Sequence, residues 1–232
     1  MNFSKGNQSG KADGGRPRGK KNPYPENPGG FVRFDDVSVE YGAKNVLGGM
    51  TFEINGPGIF VFEGPSGCGK STLTRLAAGL EAPTSGSVVV LGGAAVVFQE
   101  PRLIESISLA ENVMLARKKR TKENREEAVR LLARLGLEAD ADTLARDASG
   151  GMKQRTAVAR AVFSSALIIV ADEPFSALDA GNRQAAALLL EEAAAEKTVV
   201  LTSHGGALPF GKETVRAVFT IGMPGTAPKE QE

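Results

Sequence analysis

The chain has 232 residues, a net charge of +1 and 41% hydrophobic residues. That suffices for one sizeable core, and the balanced charge gives no ground for expecting a nucleic-acid partner or a charged lipid surface. No apolar stretch approaches the ~18 residues a membrane span needs. The N-terminus lacks the apolar core of a signal peptide, and a single cysteine, Cys68, excludes an intrachain disulfide. Such a chain is expected at the cytoplasmic face of a membrane only if a partner carries it there, and is soluble by itself.

Residues 1–30 are rich in Gly, Pro, Asn, Lys and Arg and nearly free of aliphatic side chains. They cannot bury enough apolar surface to offset ordering entropy, and read as a disordered basic leader. Order is expected from Phe31. Phe31–Phe34, Val37–Val39 and Met50–Ile54 are short strand candidates, the last alternating at period two. They lead as antiparallel strands into Ile59–Phe62, and a helix is expected from Ser71 to about Leu80. Val88–Leu91 and Ala95–Phe98 are further strand candidates. Residues from about 100 to 165 change to helical patterning, with helices over Ser108–Arg117, Lys122–Leu135 and from Ser149 through Val162. In the second, Ala128, Leu131, Leu132 and Leu135 form a stripe that Gly136 ends. Leu167–Ala171 and Thr198–Thr202 are buried strands flanking a helix over Ala185–Glu196. Continuous apolar strands alternating with helices imply an α/β fold: a mostly parallel sheet covered on both faces, with an N-terminal antiparallel β subdomain and an inserted helical subdomain.

Gly64-Pro65-Ser66-Gly67-Cys68-Gly69-Lys70-Ser71 matches the phosphate-binding loop pattern between an apolar strand and a helix. Its glycines allow backbone N–H groups to turn towards phosphates, and the helix N-terminus adds a positive dipole end. Lys70 is suited to β- and γ-phosphates, and Ser71 to Mg²⁺. Thr72 continues the motif into the helix, and Cys68 reads as a small loop residue rather than a nucleophile. Downstream, Leu167–Ala171 ends in Asp172-Glu173. Asp172 at a strand tip can hold Mg²⁺ through water, and Glu173 beside it can polarise an attacking water.

Between these two lies a second glycine-rich run, Ser149-Gly150-Gly151-Met152, at an expected helix start. With it the chain resembles the nucleotide-binding subunit of an ATP-binding cassette (ABC) transporter. Ala148–Arg155 is similar to the family signature, Gln99 to the Q-loop glutamine, Ser176-Ala-Leu-Asp179 to the D-loop, and His204, the single histidine, to the switch histidine. Tyr41 stands where the family has an adenine-stacking aromatic, although a tyrosine packed at a strand edge is the alternative. The resemblance implies ATP and Mg²⁺ as ligands, with Ser71, Gln99 and Asp172 near the metal. It also implies Glu173, His204 and Gln99 around the attacking water, and Asp179 coupling the sites at a dimer interface. Ser149, Gly150, Gly151 and Met152 would then serve the γ-phosphate held by a second subunit. The partners implied are that subunit, integral-membrane permease subunits and, through them, a periplasmic or extracellular substrate-binding protein. Residues Pro101–Ser108 would help form the groove for a permease coupling helix.

Two features depart from the common pattern: Ala148 replaces leucine, and the stretch from Lys70 to Gln99 is short. Met152 and Asp172-Glu-Pro-Phe-Ser-Ala-Leu-Asp179 are similar to the nitrate, sulfonate and taurine importer branch. No further domain is expected beyond the core. The competing reading is a soluble ABC ATPase acting on a protein assembly or nucleic acid, which the single cassette and modest insert disfavour. A kinase or GTPase is disfavoured by the signature run and by the lack of a guanine-reading Asn-Lys-x-Asp.

Overall fold

The computed structural model describes residues 29–205, 208–211, 213–222 and 229–231. Residues 1–28, which carry nearly all of the expected leader, lie outside this description. Two sheets organise the described residues. β1 (Phe31–Tyr41), β2 (Lys44–Asn55) and β4 (Ser85–Leu91) form an antiparallel sheet of order β2-β1-β4. β3 (Gly58–Glu63), β5 (Ala94–Val97), β6 (Ile168–Ala171), β7 (Thr198–Ser203), β8 (Val215–Thr220) and β9 (Lys229–Gln231) form the second, ordered β5-β6-β7-β3-β8-β9. Its strands are parallel except for β9, which runs antiparallel to β8. α1 (Lys70–Ala77) follows β3, α2 (Leu109–Met114), α3 (Lys122–Arg134) and α4 (Gly150–Phe163) lie between β5 and β6, and α5 (Ala180–Ala193) joins β6 to β7.

The period-two geometry of a strand sends neighbouring side chains to opposite faces. Ile59 and Val61, Ile169 and Ala171, Val199 and Leu201 enter a core shared with α2, α3, α4 and α5. Phe60 and Phe62, Ile168 and Val170, and Val200 enter the other, beneath α1 and the antiparallel sheet. Both faces are buried, which is why these strands read as unbroken apolar runs. Phe52 stacks on Phe34 at 4.4 Å and meets Phe62 at 5.9 Å, so a ring cluster joins the two sheets. Thr198, fully buried, reinforces the junction, with Oγ1 2.9 Å from the Gly30 carbonyl and 2.6 Å from that of Gly56.

Several expectations need adjusting. Phe31–Phe34 and Val37–Val39 are one strand, β1, with irregular register between them. α1 stops at Ala77 rather than near Leu80, because Gly79 at φ 67° closes it: Gly79 N–H donates to Leu76 and Leu80 N–H to Arg75. α2 is shorter than expected at both ends. Ser108 and Glu111 cap it reciprocally, and the Ala116 and Arg117 N–H groups bond carbonyls three residues back, one residue too tight to continue an α-helix. α5 begins at Ala180, five residues before Ala185, because the Asp179 side chain accepts the Asn182 N–H. β8 was not anticipated at all. It pairs with β3, and its Phe219 is buried against Phe62 at 5.8 Å.

Candidate active site

The strand order brings the motifs together. β7 lies between β3 and β6, so the loop after β3, the acidic pair after β6 and His204 after β7 leave one edge of the sheet side by side. The pairs Glu63↔Ser203 and Ala171↔Leu201 mark that edge. β5 pairs Val97 with Ala171, which brings Gln99 to the same edge. Ligand sites of parallel sheets form at the carboxyl ends of the strands for this reason.

Gly69 adopts φ 105° at the start of α1, a conformation that disfavours any side chain. A Cβ on Gly64 would come within 2.4 Å of the Ile221 carbonyl and 2.8 Å of Cys68 Sγ. The loop is therefore pressed against β8's end, and buried Cys68 packs beneath it. Lys70, nearly buried, donates to the Gly64 carbonyl at 2.8 Å and the Pro65 carbonyl at 2.9 Å, and lies 3.2 Å from His204 Nδ1. His204 Nε2 in turn bonds Glu173 Oε1. Lys70, His204 and Glu173 thus form one hydrogen-bonded chain across three strand ends.

These residues line a cleft of about 420 Å³ with Tyr41, Ser66, Ser71, Thr72 and Gln99. Lys44 and Arg75 line it too, and no motif pointed to them. Tyr41 is 47% exposed at the end of β1, its hydroxyl donates to Glu81, and Arg75 pairs with the same carboxylate at 3.4 Å. Desolvation, then the Glu81 hydrogen bond, pushes the phenol up. Its ring borders the cleft, and its hydroxyl is engaged at the strand edge.

A larger cleft of about 570 Å³ adjoins the first and shares Ser71, Arg75 and Gln99 with it. Asp172 lines only this second one. A hydroxyl, an amide oxygen and a carboxylate from Ser71, Gln99 and Asp172 therefore border one space. All are hard oxygen donors of the kind Mg²⁺ takes alongside phosphate and water. Among the described residues no group of three or more His, Cys, Asp or Glu could hold a metal by itself, so this oxygen set fits an ion that nucleotide oxygens help to bind.

Thr202 was missed from the sequence. Its Oγ1 donates to Asp172 Oδ1 at 2.8 Å and accepts the Glu173 N–H at 2.8 Å, so one hydroxyl holds both acidic residues. A polar residue near the end of an apolar strand was the available signal. Glu173 takes φ 48°, unusual for a residue with a side chain, and these bonds hold it there.

The signature run lies elsewhere. Ser149 caps α4 through the Met152 N–H at 3.3 Å. Ser149 and Gly150 are exposed, and among the described residues nothing beyond the neighbouring residues and the helix's own backbone lies within 4 Å of a Cβ built on Gly150. Neither they nor Gly151 and Met152 line the cleft around Lys70. Gly151 instead faces the Ala177 carbonyl, 3.6 Å from its would-be Cβ. Ala148, in place of the usual leucine, is buried in the core with α4. Asp179 binds the Asn182 N–H at 2.9 Å and side-chain amide at 2.6 Å, and these bonds hold its carboxyl below the usual range.

The profile of the family described as "ABC transporter" matches residues 47–176, more than half of the chain. The chain belongs to this ABC transporter family. It is 42% identical over 152 residues to the "Aliphatic sulfonates import ATP-binding protein SsuB 1" of Pseudomonas syringae pv. syringae (strain B728a), covering 64% of this chain and 63% of that protein. The protein of the same name from Nocardia farcinica (strain IFM 10152) is 41% identical over 152 residues, with 66% and 62% covered. The chain thus spans a little under two thirds of the length of these relatives. That from Pseudomonas aeruginosa (strain UCBPP-PA14) is 38% identical over 168 residues, with 66% and 67% covered. Among solved structures, a dimeric post-hydrolysis state of the ATP-binding cassette MJ0796 bound to ADP and Pi has a TM-score of 0.74 at 26% identity. The match covers 87% of this chain and 98% of that one. An ATP-bound bacterial Atm1-family ABC exporter has the same TM-score at 21% identity, covering 88% of this ABC protein and 39% of the exporter chain, and speaks to the fold alone. Among the described residues, no helix of this ABC protein is long and apolar enough to cross a membrane.

Proposed function

We propose that this chain is the ATP-hydrolysing subunit of a membrane importer, acting as a pair of cassettes that close on ATP. One observation carries the reading. Lys70, Glu173 and His204 are joined within one cleft, while Ser149 and Gly150 stand exposed outside it. A phosphate-binding half and an exposed helix N-terminus on one chain make a complete site only when a second chain faces the first.

In this reading the loop from Gly64 to Thr72 and Lys70 bind the phosphates, and Tyr41 packs on the base. Glu173 polarises the attacking water, and His204 orients it against the γ-phosphate. Gln99 contacts that water and the metal. Ser71, Gln99 and Asp172 would hold Mg²⁺, which when bound neutralises charge on the phosphate oxygens. The exposed amides of α4 supply positive dipole to the partner's γ-phosphate, and Asp179 lies at the shared interface. The cassette extends over residues 31–232 behind the leader of 1–30, with its helical insert at about 100–165. It works at the cytoplasmic face of a membrane, docked through residues Pro101–Ser108 on permease subunits that receive cargo from a separate binding protein. The names of the relatives support an aliphatic sulfonate as that cargo, within the nitrate, sulfonate and taurine group suggested by Met152 and Phe175.

The test is Glu173→Gln. Removing the carboxylate base is expected to lower turnover by about 10²–10⁴-fold while ATP still binds, and to give an ATP-stabilised dimer on a sizing column. Wild-type turnover, or a monomer at saturating ATP, would count against the reading. Co-purification of the tagged chain with a polytopic permease tests the transport assignment.

A further inference from the structure

Gln154 stands out as a polar side chain with no role in nucleotide contact. It is fully buried in α4 among Ala157, Val158 and Ala161. Its Nε2 donates to the Pro174 carbonyl at 3.3 Å, and its Oε1 has no partner among the described residues. The amide orientation follows from the chemistry, because a carbonyl can only accept. Burying an amide with one end unsatisfied costs free energy that an apolar side chain of the same shape would avoid. The single bond to Pro174 is the polar interaction the residue makes in return.

Pro174 follows Glu173 directly, and Glu173 sits at φ 48°, a conformation that surrounding contacts must hold. Its N–H is fixed by Thr202 and its carboxylate by His204. Gln154 fixes the next carbonyl along the chain, from a helix 20 residues away in sequence. The same helix begins at Ser149, five residues earlier and about 7.5 Å along its axis. A helix of this length moves as one body, so a shift at its N-terminus displaces the Gln154 amide.

We infer that Gln154 is a positioning residue for Glu173, tying the start of the signature helix to the carboxylate that polarises water. This rests on the role proposed above for Glu173. Because Ser149 and Gly150 face outwards and Glu173 faces the chain's own cleft, the bond links two different nucleotide sites through one chain. A phosphate engaged by the α4 N-terminus of one protomer is thereby felt at that protomer's own Glu173. The Pro174 carbonyl is the transmitting atom.

The experiment uses the full chain and ATP. Gln154→Met keeps the shape and removes the donor. It is expected to lower kcat by about tenfold or more, with KM and nucleotide affinity within about twofold of the parent. In a Glu173→Gln background, followed in single turnover, the same substitution is expected to change the residual rate by less than about twofold, because its effect runs through the missing carboxylate. Gln154→Glu is the second variant. Only its protonated carboxyl donates to the Pro174 carbonyl, so its kcat relative to the parent rises as pH falls from about 8 to about 6. Parental kcat in Gln154→Met, an equal loss in both backgrounds, or a flat relative pH profile in Gln154→Glu overturns the inference. If Glu173→Gln itself turns over at the parental rate, the role of Glu173 fails and the inference falls with it. A full Glu173→Gln defect beside a parental Gln154→Met overturns the inference alone.

Discussion

The Thr202 hydroxyl is the smallest group on which the candidate site depends. It is nearly buried, and its single proton goes to Asp172 while its lone pairs take the Glu173 N–H. Thr202→Val keeps the shape and β propensity of the strand but leaves a partly buried N–H unpaired and a carboxylate one donor short. The expected result is a turnover loss of about 10–100-fold, the usual scale for a lost supporting contact at a metal site. The accompanying stability loss is about 1–3 kcal/mol. Steady-state ATPase rates and denaturant melts check both, and an unchanged rate would remove Thr202 from the site. The residues carrying Lys70, Asp172, Glu173 and His204 were legible because phosphate and metal chemistry permits few residue types at such positions. Thr202, Lys44 and Arg75 were not, because a threonine in a strand and basic residues on a surface have many ordinary explanations.

α4 and α5 show how helix ends serve the site. α4 is held at several points besides Gln154. Lys153 pairs with Glu105 at 3.0 Å, and Arg160 donates to the Pro101 and Arg102 carbonyls at 3.1 and 3.0 Å. The helix is thereby fastened to the segment that follows Gln99. α5 is capped by Asp179, whose carboxyl is held low first by the Asn182 N–H and then by the Asn182 side chain. A depressed carboxyl contributes stability that is full above its unfolded value and is lost as pH falls through the folded value. Asp179→Ala is therefore expected to melt below the parent at neutral pH, with the difference shrinking as pH falls below about 4. A difference that persists undiminished in acid would exclude the ionised carboxylate as its source. The start of α5 is hard to see in the sequence because Ala180, Gly181 and Asn182 show no apolar period, and an aspartate such as Asp179 has other uses besides capping. The buried strands were easier, since a sheet covered on both faces demands uninterrupted apolar runs.

Across the whole molecule, the phosphate-binding loop and the signature helix belong to one chain, but the exposed start of that helix does not line the loop's cleft. Mixing two inactive chains tests whether they serve each other. Lys70→Ala removes the cation from a loop, and Ser149→Arg obstructs a signature. In an equal mixture half of the dimers are mixed, and each mixed dimer holds one intact composite site, so about a quarter of parental turnover is expected to return. If each signature served its own loop, the mixture would stay as inactive as its parts. The sequence by itself determined the family, the order of the motifs and the chemistry each residue type can support, because these depend on local composition and spacing. Tertiary structure alone decided that β7 separates β3 from β6 and that β8 supports the loop. It also decided that Thr202 bridges both carboxylates and that Gln154 reaches Pro174. Those facts depend on strand order and on contacts between residues far apart in the chain, which no local pattern records.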